Sequence, residues 1–182
     1  MSRRDFLKQL HIYWKENDIP NITHANEVFL RNLISSNNYT NILEIGSANG
    51  YSTICFADEV EKNNGRVTSI EFSQKAYEDA QDNFEKAWVS HIIEYYFGDA
   101  REIIPFLHNT YDFIFIDWLK KASLQFYLCV KDKLSSWGVI VIDDVIKFRH
   151  KMENFYEYLD ENKIHYEILH IDDDDGIMLI KK

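Results

Sequence analysis

The fold is indicated by one stretch of ten residues, Asn-Ile-Leu-Glu-Ile-Gly-Ser-Ala-Asn-Gly at 41–50. Its first half is short, apolar and partly β-branched, which favours a buried strand. Its second half holds two glycines four residues apart, and a helical pattern begins directly afterwards. This order predicts a strand, a tight turn and a helix, in which the glycines let the backbone turn sharply and approach a ligand closely.

The same alternation continues along the chain. Short apolar runs typical of strands occupy 41–45, 66–72, 92–97, 111–117, 139–143, 165–171 and 177–180. Helical periodicity is found at 4–17, 24–36, 51–62, 74–88, 101–108, 122–134 and 151–162. Thr23 is a suitable N-cap for the second helix. We therefore expect an α/β fold: a Rossmann-like, doubly wound, seven-stranded sheet, mostly parallel, with two extra N-terminal helices. The last strand should run antiparallel, after a short turn at 172–176.

Composition and charge exclude several classes of protein. The 182 residues are 46% apolar, which predicts a single domain over 1–182. Because no apolar run approaches the roughly 20 residues that span a bilayer, and the N-terminus lacks the apolar core of a signal peptide, we expect no membrane association and a cytoplasmic location. The net charge of −10 argues against non-specific binding of nucleic acid. Cys55 and Cys129 have no metal-binding spacing and predict free thiols in a reducing compartment.

The first candidate site lies at the glycine loop. Ligands of open α/β sheets bind at the carboxyl ends of the strands, near the point where the strand order reverses. The loop reads G-x-x-x-G and lacks the middle glycine of the dinucleotide fingerprint, so a nicotinamide oxidoreductase is disfavoured. Glu71 ends the second strand and could accept hydrogen bonds from the hydroxyls of a ribose. Asp99 follows the third strand, where it could border an adenine or simply cap the next helix. An ordinary turn and a solvated strand-end carboxylate remain the alternatives for the loop and for Glu71.

The second candidate site is a group of acids at two strand ends. Asp117 follows the fourth strand, and Asp143 and Asp144 follow the fifth. Since neighbouring strands lie about 4.8 Å apart, these carboxylates should converge and would repel one another without a cation. Oxygen ligands suit Mg²⁺ or another hard divalent cation. Beside such a cation the pKa of Lys120 would fall, and its neutral amine could act as a base. The alternative is a set of ordinary strand-end acids and an exposed lysine.

Both groups resemble motifs of the S-adenosylmethionine-dependent O-methyltransferases. Glu44-x-Gly46-x-x-x-Gly50-Tyr51-Ser52 is similar to motif I of the small class I members. Asp117-Trp118-Leu119-Lys120 is similar to the D-x-x-K of the metal-dependent catechol and caffeoyl-CoA type, and Asp143-Asp144 to its D-N or D-D pair. The resemblance extends from about residue 22 to residue 182. It departs at Asp144, which is Asn in many members, and an extra charge there could alter metal affinity.

The resemblance implies roles for individual residues. It makes Lys120 the catalytic base and Asp117, Asp143 and Asp144 the ligands of Mg²⁺ or another hard divalent cation. The helices within 1–37 would cover the cofactor site. Glu44 would help to orient the methionine amino group, Ser52 its carboxylate, and Phe72 would lie against the adenine. The implied contacts to S-adenosylmethionine are Ile22, Glu44, Gly46, Ala48, Gly50, Ser52, Glu71, Phe72, Asp99, Ala100, Asp117 and Trp118.

The function that follows is an S-adenosylmethionine- and Mg²⁺-dependent O-methyltransferase. We expect a small acceptor, an aromatic molecule with a vicinal pair of hydroxyls, and no membrane partner; a homodimer stays open. One alternative is methylation of a hydroxylated uridine in tRNA, as in some bacterial relatives, and the net charge disfavours it. That reading is favoured by a basic stripe formed by Lys120, Lys121, Lys147, Arg149, His150 and Lys151. Another alternative is a non-catalytic protein that binds S-adenosylmethionine.

Overall fold

The computed structural model describes residues 2–17, 19, 21–171 and 175–182. Its helices are α1 Arg3–Glu16, α2 His24–Ser36, α3 Tyr51–Val60, α4 Gln74–Lys86, α5 Ala100–Ile103, α6 Ser123–Val130 and α7 Glu153–Glu161. Its strands are β1 Asn41–Ile45, β2 Arg66–Glu71, β3 Ile93–Phe97, β4 Tyr111–Ile116, β5 Leu134–Ile142, β6 Glu167–Leu169 and β7 Ile177–Lys181.

These strands form one seven-stranded sheet in the order β3-β2-β1-β4-β5-β7-β6. The first five are paired in parallel, and β7 runs antiparallel to both β5 and β6. The predicted Rossmann-like sheet with an antiparallel last strand is therefore confirmed. Residues 172–174 of the predicted turn lie outside the described residues. The strand order reverses between β1 and β4, which places the expected ligand crevice at the carboxyl ends of these two strands.

The sheet is buried on both faces, which explains its continuous apolar strands. All six residues of β4 are buried. Because side chains alternate along a strand, Phe113 and Phe115 join the core beneath α1 to α4, whereas Ile114 and Ile116 join the core beneath α5 to α7. A strand with apolar neighbours on both sides has no polar face, as expected in a parallel sheet.

Several element boundaries differ from the prediction: the helix predicted over 101–108 is α5, which ends at Ile103, and a larger difference lies between α6 and β5. The helix predicted over 122–134 ends at Val130, and β5 begins at Leu134 rather than at 139. The added segment of β5 contains two serines and a glycine, so its composition does not suggest a strand. Backbone pairing of Leu134 with Tyr111 of β4, followed by an irregularity in register, makes it one. The neighbouring strand decides this boundary.

The two N-terminal helices are fastened to α3, the helix that follows the glycine loop. Arg3 of α1 lies 2.8 Å from Asp58 and 2.7 Å from Glu61, and Arg31 of α2 lies 2.5 Å from Asp58. The N-cap prediction for Thr23 is confirmed, since its side chain accepts a hydrogen bond from the first turn of α2. Within the part of the chain that the structure describes, no helix combines the length and apolar character needed to cross a membrane.

Candidate active site

The glycine loop forms the predicted tight turn, and packing requires both of its glycines. Gly46 has a φ of +90°, and a Cβ atom there would lie 2.3 Å from the carbonyl oxygen of Asp117. Gly50 has a φ of +84°, and its Cβ would lie 2.5 Å from the ring of Phe84. Residues other than glycine rarely adopt such backbone φ angles. The loop therefore brings the end of β1 directly against the end of β4.

Glu71 holds this loop in place from the end of β2. One carboxylate oxygen accepts hydrogen bonds from the backbone N–H groups of Ser47 at 3.1 Å and Ala48 at 3.0 Å. The other accepts from the N–H of Ser73 at 2.8 Å. Since Ala48 has a φ of +47°, a sparsely populated conformation, these bonds stabilise a strained backbone. Glu71 is thus hydrogen-bonded into the structure of the loop and is not a solvated acid at a strand end.

Glu44 lies behind the loop and is fully buried. Its carboxylate accepts hydrogen bonds from the hydroxyls of Ser52 at 2.5 Å and Ser69 at 2.7 Å, and also from Thr53. Burial raises the pKa of Glu44 to about 7, although these hydroxyl donors act in the opposite direction. Of the three residues that donate to Glu44, Ser52 is the one that lines the cavity described next.

A cavity of about 690 Å³ opens at the carboxyl ends of β1 and β4. Nine of the residues predicted for the site line its wall: Ile22, Gly46, Ala48, Ser52, Glu71, Asp117, Trp118, Lys120 and Asp144. Six others do not: Glu44, Gly50, Phe72, Asp99, Ala100 and Asp143. The two groups of residues identified in the sequence therefore share one cavity.

The predicted residues that are not on the wall have other contacts. The ring of Phe72 lies 5.6 Å from that of Trp118 and continues the aromatic surface beside the cavity. Asp99 caps α5, accepting a hydrogen bond from the backbone N–H of Arg101 at 2.9 Å. Ala100 is the fully buried first residue of that helix. The structure therefore confirms the alternative in which Asp99 caps the next helix.

The acids at the ends of β4 and β5 surround the ammonium group of Lys120. Its Nζ atom donates to Asp117 Oδ1 at 2.8 Å and to the backbone carbonyl of Asp143 at 3.0 Å, and lies 3.4 Å from Asp144 Oδ2. The two strands pair directly, with Ile116 opposite Ile142, as predicted. Asp144 has a φ of +56°, which Asp and Asn tolerate better than most residues.

The charges in this cluster shift one another. Burial would lower the pKa of Lys120, but the carboxylates of Asp117, Asp144 and Asp143 outweigh it and raise the pKa. Burial and repulsion by Asp117 raise the pKa of Asp143 well above its usual value, despite the attraction of Lys120. The lowered pKa that we expect for Lys120 applies when a cation is bound beside it, so that expectation stays a prediction. Among the described residues, no three His, Cys, Asp or Glu side chains are arranged as a metal site.

One contact to the cluster was not predicted. Nδ2 of Asn26 in α2 donates to Asp143 Oδ1 at 3.1 Å. The other amide atom of Asn26, Oδ1, is buried and accepts no hydrogen bond from the residues that the structure describes. Asn26 lies inside the span of about 22–182 that resembles the family, but no local pattern distinguishes it from any other polar helix residue.

Two lysines of the cavity wall, Lys121 and Lys151, and the neighbouring Lys147 are together called the lysine rim below. Lys121 and Lys151 line the cavity together with Phe148. The ammonium of Lys151 lies 4.4 Å from the centre of the Phe148 ring, and that of Lys147 lies 5.8 Å from it. Within the described chain, none of the three forms an ion pair with an acid. The lysine rim is therefore a local positive surface on an acidic protein.

The cavity also involves residues that the sequence did not single out. The start of α4 and the residue before it contribute Ser73, Lys75, Ala76 and Asp79 to the wall. The segment before α2 contributes Ile19 and Asn21. A helical pattern identifies which face of α4 is buried, but not which of its polar residues border a cavity.

Solved structures share this architecture. TomG, an O-methyltransferase from Streptomyces achromogenes solved in complex with SAM, superposes with a TM-score of 0.85 at 22% identity, covering 97% of this chain and 90% of that chain. An O-methyltransferase from Bacillus cereus in complex with SAH gives a TM-score of 0.84 at 25% identity, covering 98% and 91%. The fold is that of the S-adenosylmethionine-dependent O-methyltransferases.

Sequence comparison gives the family. Residues 3–182 match the family model described as O-methyltransferase, and the chain belongs to this family, as the resemblance predicted. Caffeoyl-CoA O-methyltransferase 5 of Nicotiana tabacum is 31% identical over 124 residues, 65% of this chain and 51% of that protein. Catechol O-methyltransferase of Niastella koreensis is 33% identical over 111 residues, 59% and 50%. The matched part of the chain spans about half the length of these curated relatives.

Proposed function

We propose that this protein is an S-adenosylmethionine- and Mg²⁺-dependent O-methyltransferase that acts on a hydroxyl of a small aromatic acceptor with vicinal hydroxyls. The observation that carries the proposal is that one cavity holds both the glycine loop and the Lys120 cluster. The loop suits an adenosyl ligand, and the cluster suits a hydroxyl that must lose its proton. The names of the caffeoyl-CoA and catechol relatives support the acceptor class.

The wall at β1 and β2 is proposed to hold the cofactor. The backbone of Gly46 and Ala48 can approach the methionine end, and Ser52 can meet its carboxylate at the start of α3. A carboxylate has about four acceptor sites, and Glu71 uses three for backbone N–H groups, so one remains for a ribose hydroxyl. Trp118 and Phe72 offer an aromatic surface. Glu44 would act indirectly, by fixing the hydroxyl of Ser52.

The donor set at β4 and β5 fits Mg²⁺ in its chemistry. Asp117, Asp143 and Asp144 supply hard oxygen atoms, and the single ammonium of Lys120 leaves negative charge uncompensated within the cluster. Beside them, the buried Oδ1 of Asn26 accepts no hydrogen bond from the described residues, as expected of a polar site that a bound group completes. When bound, the cation would supply the positive charge that makes an acceptor hydroxyl and Lys120 easier to deprotonate.

Lys120 is proposed as the base. Its Nζ would take the proton of the acceptor hydroxyl while the oxygen forms a bond to the methyl group and the sulfonium–methyl bond breaks, leaving a neutral thioether. The cavity wall contributes by holding the two reactants in line and by excluding water. The residues within 1–37 are proposed to cover the cofactor as part of a single domain, since Ile19, Asn21 and Ile22 line the cavity.

The test is a methyl-transfer assay with catechol, a hydroxycinnamoyl-CoA thioester and bulk tRNA as acceptors. We expect transfer to a catechol-type acceptor, loss of transfer in EDTA and recovery with excess Mg²⁺. Calorimetry with SAH in EDTA serves as the control, because cofactor binding should persist without the metal. Transfer that survives EDTA would refute the metal requirement. Binding of SAH with no turnover of any acceptor would favour the non-catalytic alternative.

The lysine rim favours a second candidate, methylation of a hydroxylated uridine in tRNA. Lysines that form no ion pair within the described residues, beside the half-buried ring of Phe148, suit a phosphate backbone with unstacked bases. Filter binding at two salt concentrations distinguishes the candidates, since phosphate contacts make affinity fall steeply with salt. We expect weak tRNA binding that is unchanged in a Lys147→Glu/Lys151→Glu variant. Tight, salt-sensitive binding lost in that variant, but kept in a Lys86→Glu/Lys131→Glu control, would favour tRNA instead.

A further inference from the structure

Asn26 joins the N-terminal helices to the acid cluster. It lies in the first turn of α2, and its hydrogen bond to Asp143 spans 117 positions of the chain. Both residues are buried, with 5% and 4% of their surfaces exposed. A hydrogen bond between buried polar groups is costly to break, because each partner would lose its contact without gaining water.

The carboxylate of Asp143 depends on this contact. Its Oδ1 accepts hydrogen bonds from Nδ2 of Asn26 and from the backbone N–H of Asp144 at 3.0 Å. Lys120 meets Asp143 at the backbone carbonyl rather than at the carboxylate. Among the described residues, Asn26 is therefore the side chain that donates to this carboxylate and fixes its orientation.

Asn26 is itself held firmly. Its backbone N–H donates to Oγ1 of Thr23 at 3.2 Å, which caps α2. The next residue, Glu27, accepts a hydrogen bond from the hydroxyl of Tyr51 at 2.7 Å, at the start of α3. The first turn of α2 is thus fixed between the end of the glycine loop and the acid cluster.

We propose that Asn26 is a positioning residue that orients the Asp143 carboxylate for the divalent cation. The inference rests on the proposed function, since it concerns the same cluster. A neutral amide donor suits this role because it fixes a carboxylate without adding positive charge that would compete with the cation. Groups that orient metal ligands in this way typically contribute about 10- to 100-fold to metal affinity.

The test compares Asn26→Leu with the wild-type chain, using Mn²⁺ as the probe and its electron paramagnetic resonance signal as the readout. We expect Mn²⁺ to bind about 10-fold or more weakly to the variant. Calorimetry should give an SAH affinity close to that of the wild type. The matched control is Asn32→Leu, the same change at an exposed position of the same helix, which should leave both affinities unchanged.

Asn26→Asp provides a second, independent measurement if the Leu variant folds poorly. An ionised aspartate cannot donate to Asp143 and adds charge to the cluster, so the thermal midpoint of this variant should fall in EDTA and recover more than that of the wild type when Mg²⁺ is added. A purely structural role would lower the midpoint equally with and without Mg²⁺, and would overturn the inference. So would Mn²⁺ binding to Asn26→Leu at wild-type affinity. Failure of the wild type to bind Mn²⁺ would overturn the metal requirement of the proposed function as well.

Discussion

Gly46 and Asp117 are in contact through their backbones: a Cβ atom on Gly46 would lie 2.3 Å from the carbonyl oxygen of Asp117. The contact joins the loop after β1 to the residue that follows β4. The glycine loop and the acid cluster therefore lie at one edge of the sheet, and we expect a substitution in one to affect the other.

Gly46→Ala should disturb both parts of the site. The backbone conformation alone should cost about 1–3 kcal/mol, and the clash with a carbonyl oxygen cannot be relieved by a side-chain rotation. We expect a lower thermal midpoint and a weaker SAH affinity, measured by calorimetry. Gly65→Ala is the matched control, because its Cβ would lie 2.4 Å from the Thr40 carbonyl, away from the cavity. That variant should lose stability only; equal SAH affinities for the two variants would contradict the prediction.

Lys120→Met should affect turnover far more than cofactor binding. Removal of a positioned base typically costs about 100-fold or more in rate. The same variant also loses the ion pair between Lys120 and Asp117, and its thermal midpoint compared with that of the wild type measures this separate effect on stability. Lys131→Met, a change at another lysine away from the cavity, should retain full kcat. A kcat for Lys120→Met within a few-fold of the wild type would dismiss the base assignment.

Two substitutions at Asp144 separate conformation from charge. Asp144→Asn keeps a residue that tolerates a φ of +56° and removes one of three neighbouring acids. Burial and repulsion by Asp117 raise the pKa of Asp144 in spite of Lys120, so the charge is unfavourable in the metal-free chain. We expect the thermal midpoint in EDTA to be equal or higher in the Asn variant. Asp144→Ala should lower it, at a backbone cost of about 1 kcal/mol. A lower midpoint for Asn than for Ala would exclude this account.

Glu44 predicts a pH dependence of stability. Burial raises its pKa from the ordinary glutamate value of 4.5 to about 7 in the folded chain, so the folded state binds the proton more readily than the unfolded state between these values. The free energy of unfolding should therefore fall as the pH rises from about 4.5 to about 7, by up to about 3 kcal/mol from this group. Glu44→Gln does not titrate, and denaturant unfolding of both proteins at pH 5 and pH 8 measures the difference. The Gln variant should gain relative to the wild type at pH 8; a constant difference would show that the group does not titrate in this range.

The sequence alone determined the backbone plan and the type of site. Apolar runs alternating with helical stretches fix a sheet buried on both faces, and the apolar run over 111–116 shows this most clearly. The glycines at 46 and 50 indicate the tight turn. Acids directly after two strands indicate that their side chains meet at one edge of the sheet. These are local patterns, and the parallel sheet converts them into proximity because the carboxyl ends of its strands lie together.

Only the tertiary structure decided where individual side chains point. Glu44 lies two residues before Gly46, yet its carboxylate accepts hydrogen bonds from three buried hydroxyls. Asp99 caps α5 and is not among the residues that line the cavity. Asn26 reaches Asp143 because α2 is docked on α3, a contact that no spacing in the sequence encodes. The physical reason is that local pattern sets the backbone of each element, whereas the docking of distant elements, driven by burial of their apolar faces, sets which polar groups meet.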